Sequence, residues 1–523
     1  MPKRYCDNYE LHQSILDGVS KLAENVASTL GPKGRNVIIR SANKPPVVTK
    51  DGVTIAKFVA FEDPFEDAGA QIVKQAATQT NEEAGDGTTT STVLSYSILN
   101  KAQRYVRSGV SPIELKRGMD KACQIIIEHI KSNSVQITSK QDIENVAKIS
   151  ANGDEVIGSL VATAIDQAGK NGSVSIEEAR SIETSLELIE GFSFDSGYVS
   201  PQFITNERKS AVKYEDCLIF ITNHKLDAIE NMLPTLELAA RESRPLVIIA
   251  DEIEGQFLAA LIANAIRGTM RVVAIKSPRY GEERLGILED LAVSTGATFF
   301  KRNGTLPLKD VELKHFGKAK MVEVLKNHTT IVGGKGDFKK IEERIEKLKE
   351  EVKQESAIQI CQRIQERITR LASGVAVIYV GASTQVEMIE KKHRIEDALE
   401  AVRSAQIDGI HAGGGVPLVK ISKQIDVPEA LPEEQKIGFR IILEACQEPI
   451  KQMAKNAGDS PDLIVAKVLE SEDGIGWNFS SGELVNMLEE GIVDPTRVTC
   501  SALRNAVSVA STLITTNYAI IDC

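Results

Sequence analysis

The sequence contains no uninterrupted apolar run approaching the roughly 20 residues that a membrane-spanning helix needs, which argues against a membrane partner. Its seven cysteines (Cys6, Cys123, Cys217, Cys361, Cys446, Cys500 and Cys523) are scattered and odd in number. No Cys-x-x-Cys pair occurs, so neither a zinc site nor a disulfide framework is indicated. The seven histidines form no His-Glu-x-x-His or other ligand-like pair and read as surface or satisfied core residues. No Gly-x-x-x-x-Gly-Lys-Ser/Thr occurs, so any nucleotide site is not a P-loop. Positive charge is also in deficit, with 62 Lys and Arg against 73 Asp and Glu, a net charge of −11. That disfavours nucleic acid, whose partners concentrate Lys and Arg. The first residues hold no apolar signal core, and Asp7 and Glu10 fit a transit peptide poorly, so a cytoplasmic location is expected.

What remains is an ordinary globular composition, 42% hydrophobic and 26% charged, in a chain of 523 residues that is too long for one core. The first 130 residues read as mostly helix, with strand pieces such as 36–40 and glycine turns at 31–34 and 85–87. From about 190 to 375, β-rich runs (217–222, 245–250, 271–275) alternate with helical patterns, an α/β signature. Ile341, Ile345, Leu348 and Val352 recur at helical spacing among Lys and Glu, predicting a charged helix in an antiparallel hairpin. From about 385 the chain is strongly helical again. A helical block, an α/β insert and a second helical block predict a discontinuous domain carrying an insertion. Gly191 and Gly374 sit near the two crossings, as a candidate hinge or as ordinary turn glycines.

The sharpest chemical element is Gly85-Asp-Gly-Thr-Thr-Thr-Ser91 opening a helical run. Gly-Asp-Gly permits a tight turn, and the amides and hydroxyls that follow gather at the positive end of a helix, which suits phosphate oxygens. Asp86 is a hard oxygen ligand suited to Mg²⁺. A hydroxyl-rich N-cap would explain one Ser or Thr but not four in a row. Thr29-Leu-Gly-Pro-Lys-Gly-Arg35, Thr49-Lys-Asp-Gly52 and Ala412-Gly-Gly-Gly415 are further candidates, each alone reading as a plain turn. The acid pair Glu396-Asp397, on charge pattern alone, reads as a solvated helix face.

In this order these motifs, joined by Ile149-Ser-Ala-Asn152, Leu371-Ala-Ser-Gly-Val375, Arg394-Ile-Glu-Asp-Ala-Leu399 and Asp494-Pro-Thr496, resemble the group I chaperonins (the GroEL family) over essentially the whole chain. The resemblance implies a multi-domain α+β chaperonin fold: a mostly helical equatorial ATPase domain (1–132 and 408–523), a small intermediate domain (133–189 and 376–407) and an α/β apical domain (190–375). It implies an ATP-dependent folding chaperone in sevenfold rings, double or single, that captures unfolded client proteins and works with a GroES-like lid. A divergent ring-forming scaffold with little ATP turnover is the alternative. By the same resemblance Thr29, Leu30, Gly31, Pro32, Lys50, Asp86, Gly87, Thr88, Thr89, Thr90, Gly414, Asn478, Phe479, Ser480 and Asp494 bind ATP. Asp86 holds Mg²⁺, and Thr29, Lys50 and Thr89 hold K⁺. Asp51 and Asp397 are the catalytic carboxylates, so the family assigns Asp397 a role that its charge pattern does not. Tyr198, Phe203, Leu233, Leu236, Leu258, Ile262 and Ala263 are expected to bind clients and the lid, with Ile229, Leu233 and Leu236 on one helical stripe and Leu258, Ile262 and Ile266 on another. Gly191, Gly374 and Gly409 are expected hinges.

The sequence also departs from the family pattern. Gln202 and Ala263 stand where Tyr and Val are usual, which predicts weaker or altered capture. Ser196 and Gln385 replace an Arg–Glu pair between ring neighbours, while the Asp154–Arg394 pair is kept. Lys451 and Ser460 replace a complementary inter-ring pair, predicting weaker ring stacking. Trp477 and Phe479 replace smaller or phenolic residues beside Asn478, predicting shifted adenine affinity.

Overall fold

The computed structural model describes residues 3–40, 46–168, 173–179, 181–207, 209–355, 358–372 and 374–522. The chain divides into two compact units, Met1–Ala162 with Ala382–Cys523, and Thr163–Gly381.

The first unit is built on helices. Asn8–Ala27, Pro64–Ala84, Thr88–Arg107, Pro112–Ser132, Glu433–Ala445 and Thr496–Ile514 bury one core that includes Leu11, Leu22, Leu94, Ile98, Met119, Phe439 and Leu503. Two of them approach closely because each lacks a side chain at the crossing. A Cβ on Gly118 would fall 2.0 Å from the Gln435 carbonyl oxygen, and one on Gly438 would fall 2.2 Å from that of Leu115. Short strand pairs shape the rest of this unit: Val37–Ile39 with Val47–Thr49, Ile410–Ala412 with Val493–Pro495, and Ile475–Asn478 with Glu483–Asn486.

The second unit is organised by a nine-stranded mixed sheet. Its order runs Val272–Lys276, Leu246–Ala250, Val212–Thr222, Gly317–Val324, Thr329–Gly334, Ser185–Phe194, Gly374–Val380, Ser173–Glu178, with Phe299–Phe300 alongside Val212–Thr222. The runs read from sequence at 217–222, 245–250 and 271–275 are the three neighbours at one end, paired in parallel. Every residue of Leu246–Ala250 is buried, as expected of a parallel strand covered on both faces. Phe220, Phe257, Phe300 and Phe316 fill the space around it.

The charged pattern at 338–371 forms two helices, Phe338–Gln354 and Ile358–Ala372, packed on each other, with Leu348 fully buried. They are fixed to helix Gly281–Thr295 by buried charge. Asp290 is 1% exposed and takes both guanidinium groups: Arg344 Nε donates to it at 2.8 Å, and Arg367 donates twice, at 2.7 and 2.9 Å.

Gly191 and Gly374 lie inside paired strands, neither with a left-handed backbone. A Cβ on Gly191 would fall 2.3 Å from Val375 Cγ2, and one on Gly374 would fall 2.9 Å from Leu188 side-chain carbons. Tight strand packing therefore calls for glycine at both.

Two expectations for this unit need correction. Ile229 is not on a helix with Leu233 and Leu236, because the helix starts at Leu233, with Pro234 setting its first turn. Phe203 is not on the surface: at 2% exposure it belongs to the core, in a 3₁₀ turn (Pro201–Phe203) packed on helix Gly255–Ile266. A benzyl group adjoining an apolar core is most stable inside it.

Candidate functional site

The first unit contains a cavity of about 590 Å³ whose walls come from widely separated stretches of chain between residues 29 and 499. Strand Val47–Thr49 delivers the first functional side chains. Thr49 Oγ1 accepts the Asp51 amide at 3.0 Å, which turns the chain into the cavity. Asp51 then caps helix Gly52–Phe58, one oxygen accepting from the Val53 amide (3.0 Å) and the other from the Thr54 amide (3.2 Å) and hydroxyl (2.5 Å). Capping locks the orientation of that carboxylate. Lys50 Nζ donates to the Gly31 carbonyl at 3.4 Å and to Asn152 Oδ1 at 3.3 Å. Burial holds its pKa below the usual lysine value, although Glu390 pulls the other way.

The Gly-Asp-Gly turn separates helix Pro64–Ala84 from helix Thr88–Arg107. Gly85 (φ 73°) and Gly87 (φ 88°) both lie in the left-handed region that glycine tolerates best. Gly87 offers no side-chain cap, so the amides of Thr88, Thr89 and Thr90 have no intrahelical acceptor and stand at the cavity wall with their hydroxyls. Asp86 lies between the two helices, Oδ1 accepting from the Gly87 amide at 2.5 Å and Oδ2 from the Ser150 hydroxyl at 3.3 Å. Burial pushes its pKa up, the Gly87 amide opposes that, and the charges of Asp494 and Asp51 push it further up.

Asp494 enters on strand Val493–Pro495, opposite His411. Burial raises its pKa to about 6 despite the amides of Gly414 and Gly415, which bond to it. Those amides reach it because both glycines are left-handed (φ 65° and 74°). His411 is itself buried and held neutral, its pKa lowered to about 4, with Nε2 3.0 Å from Thr499 Oγ1.

Helix Gln385–Asp408 presents Glu390, His393, Arg394 and Asp397 to the cavity, a stripe at i, i+3, i+4 and i+7. Arg394 is clamped on that stripe, donating to Asp154 at 3.0 Å and to Glu390 at 2.7 Å. The acid pair is thus not a solvated face, since Glu396 is 5% exposed while Asp397 lines the cavity. A different wall is apolar: Leu418, Met453, Trp477, Phe479, Met487 and Ile492.

All of the residues expected to bind ATP or to catalyse its hydrolysis, from Thr29 to Asp494, line this one cavity. Residue reasoning assigned no role to Ser150, Asn152, Glu390, His393 or His411, which line it too. No polar–apolar alternation along helix Gln385–Asp408 marks Glu390 and His393 in the sequence.

The donor set bears on the expected cations. Among the described residues, no group of three or more His, Cys, Asp or Glu is arranged to hold a metal by itself. Mg²⁺ characteristically binds through one or two carboxylates plus substrate phosphates, and a desolvated Asp86 beside uncapped amides fits that habit. Thr29 Oγ1 lies 3.4 Å from Thr89 Oγ1, a pair of neutral oxygens suited to K⁺; Lys50 can join them only through its carbonyl, because its ammonium repels a cation.

The sequence model of the TCP-1/cpn60 chaperonin family matches residues 22–522, nearly the whole chain. The chain belongs to that family. Among solved structures, this chaperonin is similar to the chaperonin gp146 from the bacteriophage EL 2 (Pseudomonas aeruginosa), crystallised in the presence of ATP-BeFx. The TM-score is 0.68 at 21% identity, with 99% of each chain covered, a likeness of fold.

Apart from Gly409, the chaperonin's remaining predicted residues lie in the second unit. Leu233 is 43% exposed, and Tyr198, Leu236, Leu258, Ile262 and Ala263 are half-buried. Phe257 and Leu261 turn into the core from the same helix, so Gly255–Ile266 has one committed face and one available face. Gly409, at φ 77°, ends helix Gln385–Asp408 in the first unit.

Proposed function

We propose that this chaperonin is an ATP-hydrolysing protein-folding chaperone. The observation that carries the reading is the convergence in one cavity of uncapped helix amides with threonine hydroxyls, Asp86, and two further carboxylates on separate elements, Asp51 and Asp397. Phosphoryl transfer asks a protein for positioning and charge neutralisation rather than for a covalent nucleophile.

In this reading the amides and hydroxyls of residues 88–90 receive phosphate oxygens. Asp86 would hold Mg²⁺, whose charge neutralises the phosphates, and Thr29 and Thr89 would hold K⁺ with Lys50. Asp397 orients the attacking water and accepts its proton, with Asp51 held beside the terminal phosphate by its capping bonds. Gly414, Asn478, Phe479, Ser480 and Asp494 take the nucleoside. Residues 1–132 and 408–523 act as the equatorial domain, 133–189 and 376–407 as the intermediate domain, and 190–375 as the apical domain. Gly191, Gly374 and Gly409 are the proposed hinges. Tyr198, Leu233, Leu236, Leu258, Ile262 and Ala263 form the client and lid surface, without Phe203. Each apolar side chain there contributes roughly 1.5–3 kcal/mol when fully buried, and repetition around a cytoplasmic ring of seven multiplies weak contacts into capture.

The test is steady-state ATP hydrolysis by the assembled protein in Mg²⁺ and K⁺, beside Asp397→Ala. The variant is expected to bind ATP and lose on the order of 10²–10⁴ in turnover. Near-normal turnover would remove Asp397 from the mechanism, and absence of turnover in the assembled wild type would overturn the ATPase reading.

A further inference from the structure

Among the described residues two donors lining the proposed nucleotide site are buried without a partner, Arg394 Nε and Trp477 Nε1, and Arg394 is already anchored by two carboxylates. Trp477, the only tryptophan of the chain, sits in strand Ile475–Asn478, paired with Leu484. It is 9% exposed and lines the apolar wall of the cavity. Its indole Nε1 is buried and has no hydrogen-bond partner among the described residues. A buried N–H without an acceptor costs on the order of 1–3 kcal/mol, and tryptophan buried in proteins ordinarily finds a partner. Packing alone would be served by phenylalanine, with no donor to strand.

Two further features favour a ligand as the missing partner. Lys467 Nζ stands 4.5 Å from the centroid of the indole ring, so a cation occupies one face of the ring and leaves recognition to its edge. That cation also draws electron density from the ring, which strengthens the N–H as a donor. The surrounding wall is apolar (Phe479, Met487, Ile492), while the amides and acids that suit phosphates lie on other elements. A ligand with an anionic end and a flat heteroaromatic end matches that division, and the edge of a purine carries ring nitrogens able to accept.

Resting on the nucleotide reading above, we propose that Trp477 is a base-recognition residue. Its Nε1–H donates to an acceptor on the edge of the bound base, with a small movement of the 475–486 hairpin bringing the two together. The proposal assigns this side chain a part in nucleotide affinity beyond the apolar wall it provides.

The single tryptophan makes the test direct. Wild-type protein is titrated with Mg-ATP and with Mg-tripolyphosphate, which has the phosphates but no base, following tryptophan emission and, in parallel, heat of binding. ATP is expected to change the emission markedly; tripolyphosphate should bind with little change. Trp477→Phe should weaken ATP binding by about 5- to 10-fold, the loss of one hydrogen bond, and leave tripolyphosphate affinity unaltered. Equal ATP affinity in Trp477→Phe, or wild-type emission that ignores bound ATP, overturns the inference while leaving the nucleotide reading intact. Should Trp477→Phe fold poorly, the wild-type emission comparison decides alone. Heat measurements showing that neither ligand binds the wild type overturn both readings.

Discussion

The two units bury charge in opposite ways. In the Thr163–Gly381 unit Asp290 is sealed from solvent but receives three hydrogen bonds from two guanidinium groups, and Arg344 also reaches Glu289 at 2.9 Å. Around Glu289, burial pushes the carboxyl pKa up, but Lys301 and Arg344 more than reverse it. Every charge there has a counter-charge. In the other unit, Asp86 and Asp494 are desolvated next to backbone amides, Asp86 also feels the charge of Asp494, and both are harder to ionise than usual. One arrangement holds helices together. The other keeps a deficit of positive charge that a bound cation would relieve, an arrangement that clusters at functional sites.

The largest effect should come from breaking the satisfied cluster. Asp290→Ala leaves Arg367, 12% exposed, without its carboxylate, and Arg344, 15% exposed, with Glu289 alone. Stability of the second unit should fall by about 3–5 kcal/mol, read by urea unfolding. Replacing Asp290, Arg344 and Arg367 together by apolar residues should recover most of that loss, because no charge is then left unpaired. A single variant as stable as the wild type would show that the cluster does not hold the helices.

The deficit predicts the opposite sign. Asp494 titrates near 6 in the folded chain against an ordinary 3.8. Between those values the folded protein keeps a proton that the unfolded chain releases, so stability is full below about pH 4 and declines as pH rises through 6. At 1.36 kcal/mol per unit the ceiling is about 3 kcal/mol. Asp494→Asn keeps an acceptor for the Gly414 and Gly415 amides and carries no charge. Without nucleotide, it should raise the melting temperature above pH 6 and leave it unchanged below pH 4. A difference independent of pH would show that Asp494 carries no burial penalty.

The same contrast explains what could be read from sequence. Local patterns were legible: the apolar runs that became three parallel strands, the hairpin helices around Leu348, and the Gly-Asp-Gly turn with its threonines each depend on residues close in the chain. Sheet order was not, because Gly374–Val380 lies between Ser185–Phe194 and Ser173–Glu178, partners some 200 residues earlier that no local period encodes. Asp397 could not be found from its own helix. Ile395, Glu396, Ala398, Leu399, Ala401 and Val402 are all buried, so no alternation of polar and apolar residues marks a cavity face. Resemblance supplied that residue. It misplaced Phe203, whose burial depends on the packing of one turn against one helix.

The smallest effect is expected where charge meets charge in water. Lys451 pairs with Asp462 at 3.2 Å, but the Asp462 side chain is 90% exposed. The chemistry is that of Arg344 and Asp290; the surroundings are not. With water competing for both partners, Lys451→Ala should change unfolding free energy by less than about 1 kcal/mol. Native mass spectrometry of the same variant asks the second question, because the resemblance to group I chaperonins implies that Lys451 and Ser460 replace a pair between rings. If ring stacking in this chaperonin is already weakened there, the share of double rings at low protein concentration should not fall further in Lys451→Ala. A marked loss of double rings without loss of stability would mean that Lys451 still works between rings, and that an exposed charge matters for assembly where it does not matter for folding.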